Sequence, residues 1–179
     1  MNSRSFSLKP FTTAGPLPDL KITGNVHRRP DSFSIRYLLA GRLQELVIPS
    51  PAARPERRNA LWEETCFEFF LAMKDSGPYW EFNLSPAGHW NAFRFESYRQ
   101  GMREETAVDS LPFMVERSAD ALLLSLELDL GRIVPAHVPM NAGISAVIKH
   151  TDGCLTFWAL SHPGTHADFH RRESFIIGM

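Results

Sequence analysis

The sequence has 179 residues, of which 44% are apolar and 22% charged, and its formal net charge is −1. This length and composition are typical of one globular domain that buries a core without disulfide or metal staples. The near-neutral charge excludes the basic excess of a nucleic-acid-binding protein and the acidic tail that would seek a basic partner. We predict a single domain over residues 1–179 and no nucleic-acid partner.

The N-terminus and the cysteines bear on location. The first residues, MNSRSFSLKPFTTAG, contain no apolar run long enough for a signal peptide, and no stretch approaches the roughly 20 apolar residues of a membrane span. Cys66 and Cys154 lie in dissimilar contexts without a CxxC motif, although a pairing in space stays open. We predict reduced thiols, a cytoplasmic location and no membrane partner.

Period-two alternation of apolar residues dominates the chain and predicts short strands with one buried face. The predicted strands, in chain order, are Phe6–Phe11, Leu20–His27, Ser32–Ala40, Thr65–Met73, Tyr79–Ser85, Trp90–Ser97, Phe113–Arg117, Leu122–Leu130, Ile144–His150, Leu155–Ser161 and Ser174–Ile177. Tight turn signals separate several of them, such as Thr151–Gly153. Many short strands of this kind predict an all-β, antiparallel sandwich or barrel.

Helical signals are weak, and two long loops interrupt the strands. Only Tyr98–Thr106 has the composition of a short helix, and Gly101 weakens it. The segment Pro49–Asn59 carries three prolines and three arginines, and Gly131–Asn141 carries two prolines. Long irregular loops in compact domains are often functional or mobile.

The region Leu61–Met102 contains three of the predicted strands, joined by short connections that favour a meander of neighbours. If the apolar residues of each strand, including Phe93 and Phe95, face the core, the polar residues share the opposite face. That face would gather Glu68, Glu81, Asn83 and Arg94, with Tyr79 and Trp90 beside them.

Such a face has the chemistry of a sugar site. Carboxylate, amide and guanidinium groups bind hydroxyls, and flat aromatic side chains provide a platform for the C–H face of a sugar ring. The simpler interpretation, a solvated sheet face with Glu–Arg ion pairs, fits the same pattern. The sugar hypothesis depends on Glu68 and Arg94 lying on the same side of the sheet.

Three stretches carry a resemblance to a known family: LWEETCFEFFLA, YWEFNLSPAGHWNAFRFESYRQGM and LTFWALSHPGTHADFHRRESF. They resemble the DOMON-like proteins related to family 9 carbohydrate-binding modules, a largely uncharacterised group of small bacterial proteins. The resemblance covers most of Leu61–Phe175. It implies a jelly-roll-like β-sandwich of about ten strands, with a ligand site on one sheet and its bordering loops.

The same resemblance implies that two tryptophans clamp a sugar, and Trp62 and Trp158 match those positions. Two features depart from the family. No acidic loop of the kind that holds calcium is seen, and Ala167 stands where the closing motif of the family has proline.

The closing stretch, FWALSHPGTHADFH, concentrates histidines beside a tryptophan and leaves three interpretations open. The first is a zinc or iron site built from His162, His166, Asp168 and His170, although the spacing matches no HExxH motif. The second is a loop tied by Asp168 hydrogen bonds, with Phe169 plugging the edge of the core. The third is a ligand wall formed by His162 and Trp158. We favour the tied loop.

Haem and catalysis are the remaining alternatives. Haem-binding DOMON domains use methionine and histidine as axial ligands, but Met102, Met114 and Met140 match no ligand position, and no CxxCH motif is present. Glu68 and Glu81 resemble a glycosidase pair, although a neighbouring Arg94 would keep both ionised, and no GxSxG motif supplies a serine nucleophile.

The sequence therefore predicts non-catalytic binding of a carbohydrate or similar small polar ligand, with no cofactor. The alternatives are a haem- or metal-binding module and an interaction protein without a small ligand. The predicted ligand-binding residues are Trp62, Glu68, Glu81, Asn83, Trp90, Arg94, Trp158 and His162.

Overall fold

A computed structural model describes residues 2–12 and 19–179 of the chain. Its strands are β1 (Asn2–Ser7), β2 (Lys9–Pro10), β3 (Leu20–Arg28), β4 (Ser32–Gly41), β5 (Cys66–Met73), β6 (Tyr79–Leu84), β7 (Trp90–Phe95), β8 (Arg103–Glu104), β9 (Phe113–Arg117), β10 (Ala121–Asp129), β11 (Met140–Lys149), β12 (Leu155–Ala159) and β13 (Ile177–Gly178). Helical structure within the described ranges consists of 3₁₀ turns at Leu43–Glu45, Leu61–Glu63 and Arg172–Ser174.

The strands form two antiparallel sheets. The five-stranded sheet has the order β1-β3-β4-β10-β9. The eight-stranded sheet has the order β2-β12-β11-β5-β6-β7-β8, with β13 also paired to β11. The predicted all-β antiparallel sandwich is therefore confirmed, as is the meander of β5, β6 and β7.

The core lies between the two sheets and consists of the alternate side chains of each strand. Leu122 and Leu124 of β10 are fully buried, and Phe33 of β4 packs on Phe69 of β5 with ring centroids 5.2 Å apart. Across β5 and β6, Phe69 stacks on Phe82 at 4.5 Å. These residues belong to one continuous apolar cluster that joins the sheets.

Some element boundaries differ from the predicted ones. The weak helical signal over Tyr98–Thr106 does not produce a helix, because Ser97 and Gln100 form a bridge around a tight turn in which Arg99 has a φ of 54°. Strand β11 starts inside the predicted loop, at Met140. The last predicted strand is instead a 3₁₀ turn followed by the short β13.

The two cysteines lie in different environments, and both are free thiols. Cys66 is buried in β5, whereas Cys154 is exposed in the turn between β11 and β12. No helix in the described ranges combines the length and apolarity that a membrane-spanning helix requires.

Candidate functional site

The face of the eight-stranded sheet that points away from the core is itself covered by protein. Strand β5 is buried on both faces up to Ala72. On the outer face, a second apolar cluster forms from Phe70, Ala72, Tyr79, Phe93, Phe95 and Phe175. Two segments border or cover this face, and we call residues 98–102 the covering turn and residues 161–176 the closing segment. Their presence turns a sheet face into an enclosed surface.

A cavity of about 360 Å³ opens beside this cluster, and we call it the outer pocket. Its apolar wall consists of Trp62, Phe95, Met102, Val147, Phe157 and Phe169. Its polar groups are Glu68, Glu81, Arg99 and His170. The volume falls in the range of small-ligand sites, and the mixture of aromatic walls with few polar groups is typical of them.

Trp62 reaches the pocket because the chain folds down onto the sheet just before it. Ala60 adopts a left-handed conformation with φ 58°, and the 3₁₀ turn Leu61–Glu63 follows. The Trp62 side chain remains 37% exposed, and its ring centroid lies 6.2 Å from that of Phe93. A half-exposed indole beside a cavity provides a flat surface on which a ligand ring can stack.

Glu68 and Glu81 are the most unusual residues of the pocket, since they are only 3% and 5% exposed. In the strand register Glu68 lies opposite Asn83 and Glu81 lies opposite Phe70, so the two glutamates are diagonal neighbours. Ser145 Oγ lies 3.4 Å from Glu68 Oε2, and Asn83 Nδ2 donates to Glu81 Oε1 at 2.9 Å.

The electrostatic state of these carboxyl groups follows from their burial. Loss of water raises the pKa of Glu81 to about 7, although the Asn83 hydrogen bond and the charge of Arg99 oppose the shift. Burial, and then the charge of Glu81, raise the pKa of Glu68 well above its usual value. At neutral pH the pocket therefore holds carboxyl groups that resist losing their protons.

His170 is fixed by a chain of hydrogen bonds that runs from the covering turn to the sheet. The Arg99 backbone N–H donates to Tyr79 Oη at 3.2 Å, so the Tyr79 hydroxyl proton is available to His170 Nδ1 at 2.8 Å. The imidazole Nε2 then carries its proton and faces Glu81 Oε2 at 3.7 Å. Burial, followed by the charge of Arg99, lowers the pKa of His170 to about 4, so the ring is neutral at pH 7.

Asp168 ties the closing segment to the covering turn. Its carboxylate accepts from Arg99 Nη2 at 2.9 Å, from the Tyr98 hydroxyl and from its own loop at the His170 backbone N–H, 3.1 Å away. These partners hold the pKa of Asp168 below its usual value despite partial burial. The prediction that FWALSHPGTHADFH is a strand followed by a hydrogen-bonded loop is confirmed.

Three of the predicted ligand residues, Trp62, Glu68 and Glu81, line the outer pocket. Asn83 lies on the same sheet face but is fully buried, and its amide supports Glu81 from below the pocket. The prediction that Asn83 lies on this face is correct, but Asn83 contributes to the pocket by holding Glu81 and does not line the cavity.

The predicted placement of Trp90 and Arg94 on this face is wrong. Trp90 lies opposite Leu84 and Arg94 lies opposite Trp80, both on the face that points towards the core. Trp90 belongs to the main core cluster, and the Arg94 guanidinium lies 5.5 Å from the centroid of the Trp80 ring. Phe93 and Phe95, which the alternation predicts in the core, both point outwards instead. The sheet therefore excludes Glu68 and Arg94 from one site, and the sugar site predicted from strand parity, which depends on that combination, is wrong.

The predicted ligand wall of Trp158 and His162 is also wrong. Trp158 is 2% exposed and packs in the main core, where its indole N–H donates to Thr156. His162 Nε2 lies 2.8 Å from the backbone carbonyl of Lys9, and its ring packs on Phe11. The residue of β12 that faces the pocket is Phe157, one position earlier.

The sequence reasoning missed the residues that the covering turn and the closing segment contribute. Arg99 and Met102 come from the segment with a weak helical signal, and the sequence suggests Phe169 only as a core plug. His170 was considered only as a metal ligand. A signal for Phe157 existed, because alternation along β12 places it opposite in phase to Trp158.

The metal and haem alternatives can be compared with the positions of their candidate ligands. Within residues 2–12 and 19–179, no group of three or more His, Cys, Asp or Glu side chains converges as metal ligands would. Met102 and His170 both line the pocket, whereas Met140 is in the core and Met114 is on the other sheet. Both ring nitrogens of His170 face other side chains, which does not fit an axial haem ligand.

The fold has solved structural relatives. A proposed carbohydrate-binding protein from Bacteroides uniformis superposes with a TM-score of 0.71 at 11% identity, covering 96% of this chain and 83% of that chain. A family 9 carbohydrate-binding module from Caldicellulosiruptor kristjanssonii, in complex with cellotriose, gives a TM-score of 0.57 at 7% identity, covering 88% and 72%. A family 9 module from the same organism, in complex with glucose, gives 0.50 at 9% identity, covering 84% and 72%.

Two comparisons based on the sequence found no match. No model of a known protein family matches the chain, and no curated protein matches it. At these low identities the structural similarity establishes a shared fold with carbohydrate-binding proteins.

Proposed function

We propose that this protein binds a carbohydrate or a similar small polar ligand in the outer pocket, without catalysing a reaction. The observation that carries the proposal is the half-exposed indole of Trp62 beside a cavity whose buried wall contains Glu68 and Glu81. The solved relatives named for carbohydrate binding share the fold, which supports the same ligand class. We also propose that this protein is related to the DOMON-like proteins.

The pocket offers both kinds of contact that a sugar needs. Trp62 provides an apolar face for the C–H side of a ring, and Phe157 and Phe169, with centroids 6.2 Å apart, provide a second apolar surface. The carboxyl groups of Glu68 and Glu81 provide hydrogen-bonding groups for hydroxyls. Because their pKa values are raised, these groups donate as well as accept near neutral pH.

Arg99 replaces Arg94 as the guanidinium of the proposed site. Its side chain lines the pocket, and its hydrogen bond with Asp168 orients it from the closing segment. A guanidinium presents five donors in a fixed plane, so Arg99 retains donors for a ligand after it has bonded Asp168. Loss of this residue would remove one polar wall and loosen the covering turn.

The test is calorimetric titration of a panel of mono- and oligosaccharides against the wild type and three variants. Trp62→Ala removes the stacking surface and should weaken binding by about one to two decades. Met102→Ala, also at the pocket, should weaken binding less, and Met114→Ala, an exposed methionine on the other sheet, should leave affinity unchanged. Absence of binding by every sugar at millimolar concentration would contradict the proposal.

Glycoside hydrolysis is a second candidate, favoured by one observation. Glu68 and Glu81 share a pocket and have raised pKa values, and Arg94, which was expected to keep them ionised, lies on the other side of the sheet. A carboxyl with a raised pKa is what a glycosidase acid requires. Release of nitrophenol from nitrophenyl glycosides by the wild type, lost in Glu81→Gln, would favour this candidate over simple binding.

The cytoplasmic location remains a prediction and bears on the identity of the ligand. A cytoplasmic protein would bind a soluble sugar, a sugar nucleotide or a cell-wall fragment in preference to a polysaccharide. Fractionation of the native host, with detection of the protein in the cytoplasmic and extracellular fractions, would test the location.

A further inference from the structure

The two carboxyl groups of the outer pocket are incompletely satisfied by the protein. Within the described residues, hydrogen bonds reach Glu68 only at Oε2 and Glu81 only at Oε1. Both side chains are more than nine-tenths buried, and both line the cavity. A buried carboxylate needs a partner at each oxygen or a counter-charge, because burial removes the water that would otherwise stabilise it.

The cationic groups of the site do not supply that counter-charge. Among the described residues that line the cavity, Arg99 is the only cationic side chain, and Asp168 bonds it at 2.9 Å, which offsets its charge. His170 is neutral at pH 7, and its Nε2 lies 3.7 Å from Glu81 Oε2, beyond hydrogen-bond distance. When Glu68 and Glu81 ionise, the pocket therefore carries excess negative charge.

The rest of the wall also favours a positive ligand. Trp62, Phe95, Phe157 and Phe169 surround the same cavity, and the negative faces of aromatic rings attract organic cations. Aromatic rings combined with buried carboxylates form the usual setting for recognition of an ammonium group. A neutral ligand would supply no counter-charge to either carboxyl group when that group ionises.

We propose that the ligand of the outer pocket carries an organic ammonium group, which lies between Glu68 and Glu81 and against the aromatic wall. The inference rests on the proposed function and names the class of its ligand. The cavity of about 360 Å³ suits a ligand of roughly monosaccharide size. An amino sugar and a small quaternary ammonium compound such as choline share this chemistry.

Binding of an ammonium group is linked to proton release. A nearby cation favours ionised carboxylates, so the ligand must displace the protons that burial retains on Glu68 and Glu81. Affinity for an ammonium ligand of fixed charge therefore rises as pH increases through 7. Tyr37, Cys66, Tyr79 and Arg99 interact electrostatically with one or both glutamates. His170 Nε2 lies 3.7 Å from Glu81 Oε2, and Asp168 acts on the pair only through Arg99.

The test compares two ligand pairs that differ mainly in charge, by isothermal titration calorimetry. The pairs are glucosamine with glucose and choline with 3,3-dimethylbutan-1-ol. We expect the ammonium member of at least one pair to bind about tenfold tighter or more than its neutral partner. Repeating the titration in buffers of different ionisation heat should reveal proton release for the ammonium member alone.

Matched variants test which groups recognise the charge. In Glu68→Gln and Glu81→Gln, the ratio of ammonium to neutral affinity should fall towards one, because the amide keeps the shape and removes the charge. Glu127→Gln changes an exposed glutamate of the five-stranded sheet and should leave the ratio unchanged. An unchanged ratio in both pocket variants would contradict the inference.

The outcomes separate this inference from the proposed function. Glucose binding as tightly as glucosamine, together with no binding of choline, overturns the ammonium inference and leaves carbohydrate binding intact. Choline binding without either sugar supports the ammonium inference and contradicts carbohydrate binding. Failure of glucosamine and choline to bind at millimolar concentration overturns the inference.

Discussion

The outer faces of the two sheets have similar positions in the sandwich, but they differ in their exposure to solvent. In β4 of the five-stranded sheet, the outward residues Ser32, Ser34, Arg36 and Leu38 are partly or fully exposed. In β5 of the eight-stranded sheet, the outward residues Cys66, Glu68, Phe70 and Ala72 are all buried. The covering turn and the closing segment border or cover only the second face.

The difference shows what creates the candidate site. A solvated sheet face presents charges to water, where they need no partner. Once loops cover a face, its polar groups acquire raised pKa values and unmet hydrogen-bonding capacity, as Glu68 and Glu81 do. The site is therefore a property of the covered face, and its chemistry depends on the covering segments as much as on the strands.

The largest contrast is expected from truncating one outward apolar residue on each sheet. Phe70→Ala opens a cavity in the cluster under the closing segment and should lower the free energy of unfolding by about 3–5 kcal/mol. Leu38→Ala on β4 removes a side chain that is 39% exposed and should have a much smaller effect. Urea denaturation of both variants measures the difference, and equal losses would mean that the two faces are alike.

A glycine on β11 offers a second test of the covered face. Gly143 lies opposite Phe70, and a Cβ built on it would lie 2.6 Å from Phe175 Cδ1 in the closing segment. Gly143→Ala should therefore lower the free energy of unfolding by about 1–3 kcal/mol through overpacking.

The matched control for this substitution is Gly77→Ala. The nearest atom to a Cβ at Gly77 is the Glu96 carbonyl oxygen at 3.4 Å, and φ at Gly77 is not positive. Its stability should remain close to that of the wild type. A tolerated alanine at Gly143 would show that the closing segment does not pack against β11 as described.

The pH dependence of stability should separate a covered carboxyl from an exposed one. The folded state keeps the Glu81 proton to about pH 7, whereas the unfolded chain releases it near 4.5. Glu81 therefore lowers the free energy of unfolding as pH rises through this window, because the folded state binds more protons. His170 acts oppositely between about pH 4 and 6.5, because burial disfavours its charged form.

The difference between Glu81→Gln and the wild type isolates the glutamate from the histidine. Between pH 4.5 and pH 7.5, the free energy of unfolding of Glu81→Gln should rise by on the order of 2 kcal/mol relative to that of the wild type. Glu127→Gln on the exposed face should show no such gain. Denaturant melts at half-unit pH intervals provide the measurement, and parallel curves for Glu81→Gln and the wild type would contradict the burial of Glu81.

The smallest expected effect concerns the charge pairs of the loops. Asp168→Asn weakens the bonds to Arg99 and Tyr98 and should lower the free energy of unfolding by up to about 1 kcal/mol, because solvent screens these partly exposed partners. Asp109→Asn removes an exposed pair with Arg132 and should have no measurable effect. Thermal melts at low and high salt compare the two, and equal responses would mean that Asp168 does not hold the loop.

The sequence predicts the exposed face better than the covered one for a physical reason. In β4 and β10, apolar and polar residues alternate in one phase only, so the buried side is unambiguous. In β7, Trp90 and Ala92 occupy one phase while Phe93 and Phe95 occupy the other. Both faces are buried there, and alternation cannot distinguish them.

The covering segments were less predictable for a different reason. Arg99 takes a left-handed conformation in a turn that bridges Ser97 and Gln100, whereas its local composition gives only a weak helical signal. The position of the closing segment depends on contacts with residues distant in sequence, such as Asp168 with Arg99. Local patterns contain no information about such contacts, so the sequence located Trp62, Glu68 and Glu81 but not the residues that enclose them.

The most direct test of the outer pocket as the ligand site uses the four tryptophans as reporters. Trp62 is 37% exposed at the pocket, whereas Trp80, Trp90 and Trp158 are 1%, 6% and 2% exposed in the core. In a ¹H–¹⁵N correlation spectrum, titration with glucosamine or another bound sugar should shift the indole signal of Trp62 and leave the other three nearly unchanged. Shifts confined to residues of the five-stranded sheet, or no shift at Trp62 in the presence of a bound ligand, would contradict the account.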